Sequence, residues 1–188
     1  MSHKGDAYSA SGAIFLDNPI RRLFQPPSEL IEKLGINPND VAMDFGRGPG
    51  YFTIELAKKV KHVVAADVSP EMLKKVRKKA EKAKVQNIQF LQSDGKNIQL
   101  EDSSLDLILL VTVYHEVGDS EAVLKEFGRV LKLVGKLAIV EVIKSGIFAF
   151  APKQNPEVIT AEVEAANFRL QEMTPYKSYG VFLFTKES

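Results

Sequence analysis

Val41-Ala42-Met43-Asp44-Phe45-Gly46-Arg47-Gly48-Pro49-Gly50-Tyr51-Phe52 decides the fold. An apolar run suited to a buried strand meets three glycines at alternate positions, then a helical pattern from Tyr51 to Val60. Glycine serves where a chain turns sharply and where a ligand must touch backbone. In a doubly wound sheet such a turn lies at the carboxyl edge of the first strand, where ligands bind. Two phosphate-binding patterns fail here. The dinucleotide pattern G-x-G-x-x-G, counted from Gly46, needs glycine at 51 and finds Tyr51; the P-loop pattern needs Lys after its last glycine, and Gly50 is followed by Tyr51-Phe52. Asp44, two residues before the first glycine, would repel a pyrophosphate and attract a cation. Capping the helix after Gly50 is its structural alternative. The loop is shaped for a positively charged nucleoside.

Outward from this loop the chain alternates. Ser28 to Leu34 has helical period with Leu30, Ile31 and Leu34 on one face, and Gly35 stands where a helix would end. Val63 to Ala66 reads as a buried strand. Ser69-Pro70 opens a helix, with a hydroxyl N-cap and proline at the first position, and Met72, Leu73, Val76, Ala80 and Ala83 form its inward stripe. Strands are predicted over Asn87 to Gln92, Leu105 to Val113 and Lys136 to Ile143, and helices over Ser120 to Leu131 and Pro156 to Ala166. Two final strands, Phe168 to Met173 and Gly180 to Thr185, should pair as an antiparallel hairpin. Apolar strands between amphipathic helices imply an α/β fold: a doubly wound, Rossmann-like, mostly parallel sheet with an antiparallel C-terminal hairpin strand. Residues 1 to 27 do not fit the alternation. They read as an N-terminal arm or lid, with loop at Ser9 to Gly12 and a short helix from Asn18 to Phe24, on one domain spanning 28 to 188.

Composition sets the limits. The chain has 188 residues, 45% of them hydrophobic, enough for one domain with a sizeable core. Lys and Arg total 25 against 24 Asp and Glu, so bulk charge gives no argument for a nucleic-acid partner. No cysteine is present, which excludes disulfides, thiolate metal sites and a cysteine nucleophile. No run approaches the ~18 apolar residues of a membrane span. The opening residues do not form a signal peptide, so a cytoplasmic location is expected.

The loop resembles the first motif of the class I S-adenosylmethionine (SAM)-dependent methyltransferases, an acid followed by G-x-G-x-G. That likeness extends over roughly residues 28 to 186, in five motifs in family order. It implies SAM as cofactor, no metal, a seven-stranded sheet of order 3-2-1-4-5-7-6, and a small-molecule acceptor methylated by in-line displacement. It also implies site residues. Asp44, Gly46, Arg47, Gly48 and Gly50 would hold the methionine end. Asp67 matches the acid that takes both ribose hydroxyls, for which a carboxylate has the acceptor capacity; its structural alternative is a helix N-terminal acid favoured by the dipole, with Ser69 as the true cap. Val68 and Met72 would lie against adenine, and Ser93, Asp94 and Gly95 would serve its amino group. Val111 to His115 would face the sulfonium and the acceptor, and Leu131 to Leu137 resembles the family's turn into strand five.

Within the family the likeness is to the branch with ubiquinone/menaquinone-type C-methyltransferases and arsenite methyltransferases, through Val113-Tyr114-His115-Glu116-Val117. Arg47 stands where Cys, Ser or Thr is frequent, and Glu116 where a second histidine is frequent. The lack of cysteine excludes thiol-based arsenic chemistry. The short C-terminal region leaves little room for a separate substrate domain.

Three readings stay open for His115: a general base, whose ordinary pKa near ~6.5 suits the task, a positioner of acceptor, or a packed structural residue. The uncharged segment Gly146 to Pro152 could join the core, contact a second copy in a homodimer, or wall an apolar acceptor pocket. The basic run Lys74 to Lys84 lacks interleaved aromatics, so a solvated helix face accounts for it better than RNA binding. Two other functions compete: a SAM- or S-adenosylhomocysteine-binding domain without turnover, and an NAD-type oxidoreductase, which Tyr51 disfavours.

Overall fold

The computed structural model describes residues 27–46, 50–145 and 151–187. Along the chain run α1 (Pro27–Glu32), β1 (Val41–Phe45), α2 (Thr53–Ala57), β2 (His62–Asp67), α3 (Pro70–Ala83), β3 (Ile88–Gln92) and β4 (Leu105–Val111). A 3₁₀ turn (Tyr114–Glu116) leads to α4 (Ser120–Val130), β5 (Leu131–Val142), α5 (Pro156–Ala165), β6 (Phe168–Tyr176) and β7 (Tyr179–Lys186). The seven strands lie in the order β3-β2-β1-β4-β5-β7-β6. β1 to β5 pair in parallel, and β7 is antiparallel to both its neighbours, β5 and β6. The fold and strand order expected from the resemblance are therefore found.

Side chains alternate across the sheet and fill two cores. Met43, Phe45, Ile108, Leu110 and Ile139 join Val123, Leu124 and Phe127 of α4 and Ile159 and Val163 of α5. Ala42, Leu107, Leu109, Ala138 and Val140 join Leu30 and Ile31 of α1 and Leu56 of α2 on the other face. Phe127 meets Phe45 edge-on, with ring centroids 5.2 Å apart, and so presses α4 onto the end of β1.

Long-range polar ties hold the elements at their ends. The Lys136 ammonium on β5 donates to the Leu34 and Gly35 carbonyls at 3.2 and 2.9 Å, satisfying carbonyls left over as the chain leaves α1. Asn87 donates its side-chain amide to the carbonyls of Ala57, Val60 and Lys61. Arg129 of α4 donates to the Ile98 and Leu100 carbonyls, and its guanidinium holds the Glu126 carboxyl below the usual range.

Several details differ from the sequence reading. β4 stops at Val111 because Thr112 adopts a positive φ of 54°. β5 begins at Leu131, directly after α4, and a register shift on β4 between Leu105 and Leu107 accommodates the protruding Leu133 and Val134. Ala83, expected on the inward stripe of α3, is exposed, while Val76 and Ala80 are buried. No helix among the described residues is long and apolar enough to cross a membrane.

Candidate cofactor and acceptor site

The carboxyl ends of β3, β2, β1, β4 and β5 form one edge. Phe45 is in register with Ala66 of β2 and Leu110 of β4, and Gly46 N–H donates to the Ala66 carbonyl at 2.7 Å. Ser93 N–H donates to the Asp67 carbonyl at 3.2 Å, and Thr112 N–H to the Val140 carbonyl at 2.7 Å. The sheet is thus continued by one residue beyond β1, β3 and β4. Crossovers from β1 and β4 leave in opposite directions, which makes their junction the switch point where doubly wound sheets bind ligands.

Gly46 and Gly50 have φ of +70° and +79°, in the left-handed region that favours glycine. A Cβ on Gly46 would lie 2.5 Å from Val113 Cγ1, and one on Gly50 would lie 2.8 Å from Val76 Cγ1. Both glycines are therefore required by backbone conformation and by packing of the 113 turn and α3. The sequence reading gives a sharp turn and contact with a ligand as the reasons for these glycines, and the packing against Val113 and Val76 is additional. Arg47 and Gly48 lie outside the described residues.

Asp44, 2% exposed, accepts from the Thr53 hydroxyl at 2.6 Å. That bond ties β1 to the first turn of α2 through a side-chain hydroxyl, and it is not a helix cap: α2 has no side-chain cap bond at its N-terminus. Asp67, 7% exposed at the end of β2, accepts through Oδ1 from Ser69 N–H at 2.8 Å. Ser69 in turn caps α3 through Met72 N–H at 3.3 Å. Val68 is 60% exposed beside it, and Met72 is half-buried.

Ser93 and Asp94 each make a local turn bond, to Gly95 N–H and Lys96 N–H, both at 3.0 Å. Ser93 is buried and Asp94 exposed. Gly95, φ +88°, leaves room for the Phe45 ring, whose Cζ would be 2.8 Å from an added Cβ. Val111 is wholly buried in the core shared with α1 and α2, so its backbone is the part that reaches the edge. The structure brings Asp44, Gly46, Asp67, Ser93 and Val111 to adjacent strand ends. Residues 1–26 and 146–150, expected as lid and as acceptor wall or dimer contact, lie outside the described residues.

His115 stands in the 3₁₀ turn after β4. Its Nδ1 is 2.9 Å from Glu141 Oε2 and 3.1 Å from Oε1, and its own backbone N–H donates to Oε1 at 3.4 Å. Glu141 belongs to β5 and has no solvent exposure. On the other side of the ring, Nε2 is 3.5 Å from Glu116 Oε1. The preceding residue, Tyr114, donates its hydroxyl to Glu162 of α5 at 2.9 Å, and burial together with that carboxylate pushes its pKa up. Sequence reasoning missed Glu141. The available signal was one acid inside Leu137-Ala138-Ile139-Val140-Glu141-Val142-Ile143, a run otherwise fit for burial on both faces.

With this geometry in place, the likeness to known proteins is specific. The family model of a methyltransferase domain matches residues 43–139, about half of the chain. A methyltransferase-like protein of Schizosaccharomyces pombe is 38% identical over 106 residues, covering 56% of this chain and 39% of that protein. Demethylmenaquinone methyltransferase of Lactobacillus johnsonii is 35% identical over 117 residues, covering 60% of this chain and 48% of that enzyme. The chain thus spans less than half the length of these curated relatives. In fold, it matches the crystal structure of a SAM-dependent methyltransferase from Aquifex aeolicus with TM-score 0.85 at 24% identity, over 97% of this chain and 100% of that one. The chain belongs to the family of SAM-dependent methyltransferases.

Proposed function

We propose that the chain transfers a methyl group from SAM to a small, apolar acceptor in the cytoplasm. The observation that carries this reading is the pair of buried acids, Asp44 and Asp67, on adjacent strand ends around the Gly46 turn. Their charge suits a cationic nucleoside and disfavours a phosphate-bearing one. When bound, SAM supplies an electrophilic methyl group on a sulfonium. In this reading Asp67 accepts from the ribose diol, Val68 and Met72 flank adenine, and Ser93, Asp94 and Gly95 form the wall at its amino group. Asp44, with Gly46, Arg47, Gly48 and Gly50, holds the amino-acid end. Val111 presents backbone toward the sulfonium, and His115 faces the acceptor.

Residues 1–27 act as a lid over both ligands, and the uncharged 146–152 segment as an apolar acceptor wall. Quinone methyltransferases among the relatives support an apolar acceptor. Much of the rate then comes from alignment of acceptor, methyl carbon and sulfur in a site closed to water.

Calorimetry with SAM, followed by turnover with a panel of small apolar acceptors, tests the reading. Binding and turnover of at least one acceptor are expected. Tight binding without turnover on any of them would reassign the chain as a SAM-binding domain. Removing residues 1–25 should abolish transfer while the circular dichroism of the sheet persists, and unchanged transfer would discard the lid.

A further inference from the structure

We infer that the outer face of α3 docks the protein on an anionic lipid surface, by charge and without insertion. The inference goes beyond the methyl-transfer reading and does not rest on it. Its basis is a segregation of charge within a nearly neutral chain. Residues 70–84 hold seven of the 25 bases and two of the 24 acids, so this segment carries +5 and the remainder −4.

Lys74, Lys78 and Lys82 form one row on α3, opposite the buried Val76 and Ala80 and about 12 Å long at the helical rise. All three are exposed, as are Arg77 and Lys84. Like charges four residues apart destabilise a helix, so folding alone does not call for this row. The helix dipole accounts for Glu71 in the first turn and Lys82 in the last, but not for Lys74 or Lys78. Other bases of the protein have acids beside them: Lys58 pairs with Glu55, Lys59 with Glu32, Lys132 with Asp106 and Arg169 with Glu187. Among the described residues, Lys74, Lys78, Lys82 and Lys84 form no ion pair.

The opposite charge gathers at the far end of the sheet. α5 carries Glu157, Glu162 and Glu164 and no base. It packs on β6, at one end of the strand order, while α3 packs on β2 and β3 at the other. An anionic surface would therefore turn the α3 end toward itself. Lipid suits this face better than nucleic acid. Four to eight bases on an amphipathic helix match the diffuse potential of anionic headgroups. Six of the seven are lysines, compact point charges, whereas forked recognition of nucleic-acid phosphates favours arginine. The one arginine, Arg77, lays its guanidinium 4.2 Å over the Phe90 ring of β3, so that ring stacks on the protein's own side chain. Val76 and Ala80 belong to the packed side of α3, which leaves the docking face without an apolar stripe to insert. α3 begins three residues after Asp67, so docking sets the ligand edge beside the headgroups.

Co-sedimentation of the full chain with vesicles tests this without SAM or turnover. Phosphatidylcholine vesicles containing phosphatidylserine should bind the protein at about 0.05 M salt and release it at about 0.5 M. Pure phosphatidylcholine should not bind it. The triple variant Lys74→Gln/Lys78→Gln/Lys82→Gln should partition roughly 100-fold more weakly, at about a factor of five per base. Lys125→Gln/Lys144→Gln/Lys153→Gln, at exposed positions away from α3, removes the same charge and should bind as wild type does. Circular dichroism verifies that both variants are folded. No binding to the phosphatidylserine vesicles at low salt would overturn the inference. Equal weakening in the two triple variants would also overturn it, because bulk charge would then be acting. Binding that persists at high salt would show insertion and overturn the electrostatic mode. Tighter binding to polyuridylic acid than to the vesicles, lost in the α3 variant, would give the face to RNA instead.

Discussion

Phe127→Ala should cost about 3–5 kcal/mol of folding stability, the usual range for emptying a large aromatic from a core. Phe127 has no solvent exposure, and it is one of the contacts through which α4 meets β1, by its edge-on packing with Phe45. The effect should spread to the ligand edge, because Phe45 immediately precedes Gly46 and its ring occupies the space beside Gly95. Urea unfolding measures this as a lower midpoint at unchanged slope. A domain this size is stable by only about 5–15 kcal/mol, so the variant should be visibly closer to unfolding at room temperature. Leu133→Ala, at an exposed position, is the control and should shift the midpoint little. A Phe127→Ala loss below about 1 kcal/mol would mean that α4 does not rest on β1 as described.

Asp67→Ala should weaken SAM binding by about 2–3 kcal/mol, or roughly 30- to 150-fold in Kd, as charge-assisted hydrogen bonds to the ribose disappear. The same substitution removes the 2.8 Å bond from Ser69 N–H, so some stability is lost as well. Asp67→Asn separates the two effects. It retains an oxygen for Ser69 and a similar shape, loses the negative charge, and should fall between wild type and Asp67→Ala in affinity. Calorimetry on folded samples at matched temperature makes the comparison. Equal affinity in all three proteins would remove Asp67 from the ribose site.

Much of this was readable in the sequence because the physics was local. Strands buried on both faces appear as apolar runs, and β1 was found with both its ends in place. Ser69 and Pro70 announce α3 through the chemistry of a single turn. The misplaced boundaries come from tertiary context. Thr112 takes a positive φ that a β-branched residue ordinarily avoids, and nothing in its neighbours signals it. Leu131 passes from helix straight into an extended strand, in a stretch whose apolar pattern suits either state. The glycines were legible as a turn, but their packing partners, Val113 and Val76, are far along the chain. Glu141 was missed for the same reason: its meaning lies in His115, 26 residues away.

The position of β7 between β5 and β6 has a bearing on biosynthesis. Until residues 179–186 have left the ribosome, β5 keeps one bare flank of backbone donors and acceptors, and β6 has no strand to pair with. Such a flank is a template for pairing with other nascent chains. Ribosome stalling ahead of this segment would therefore release polypeptide with a sticky sheet, and production of the protein should depend more on chaperone supply than the stability of the finished domain suggests.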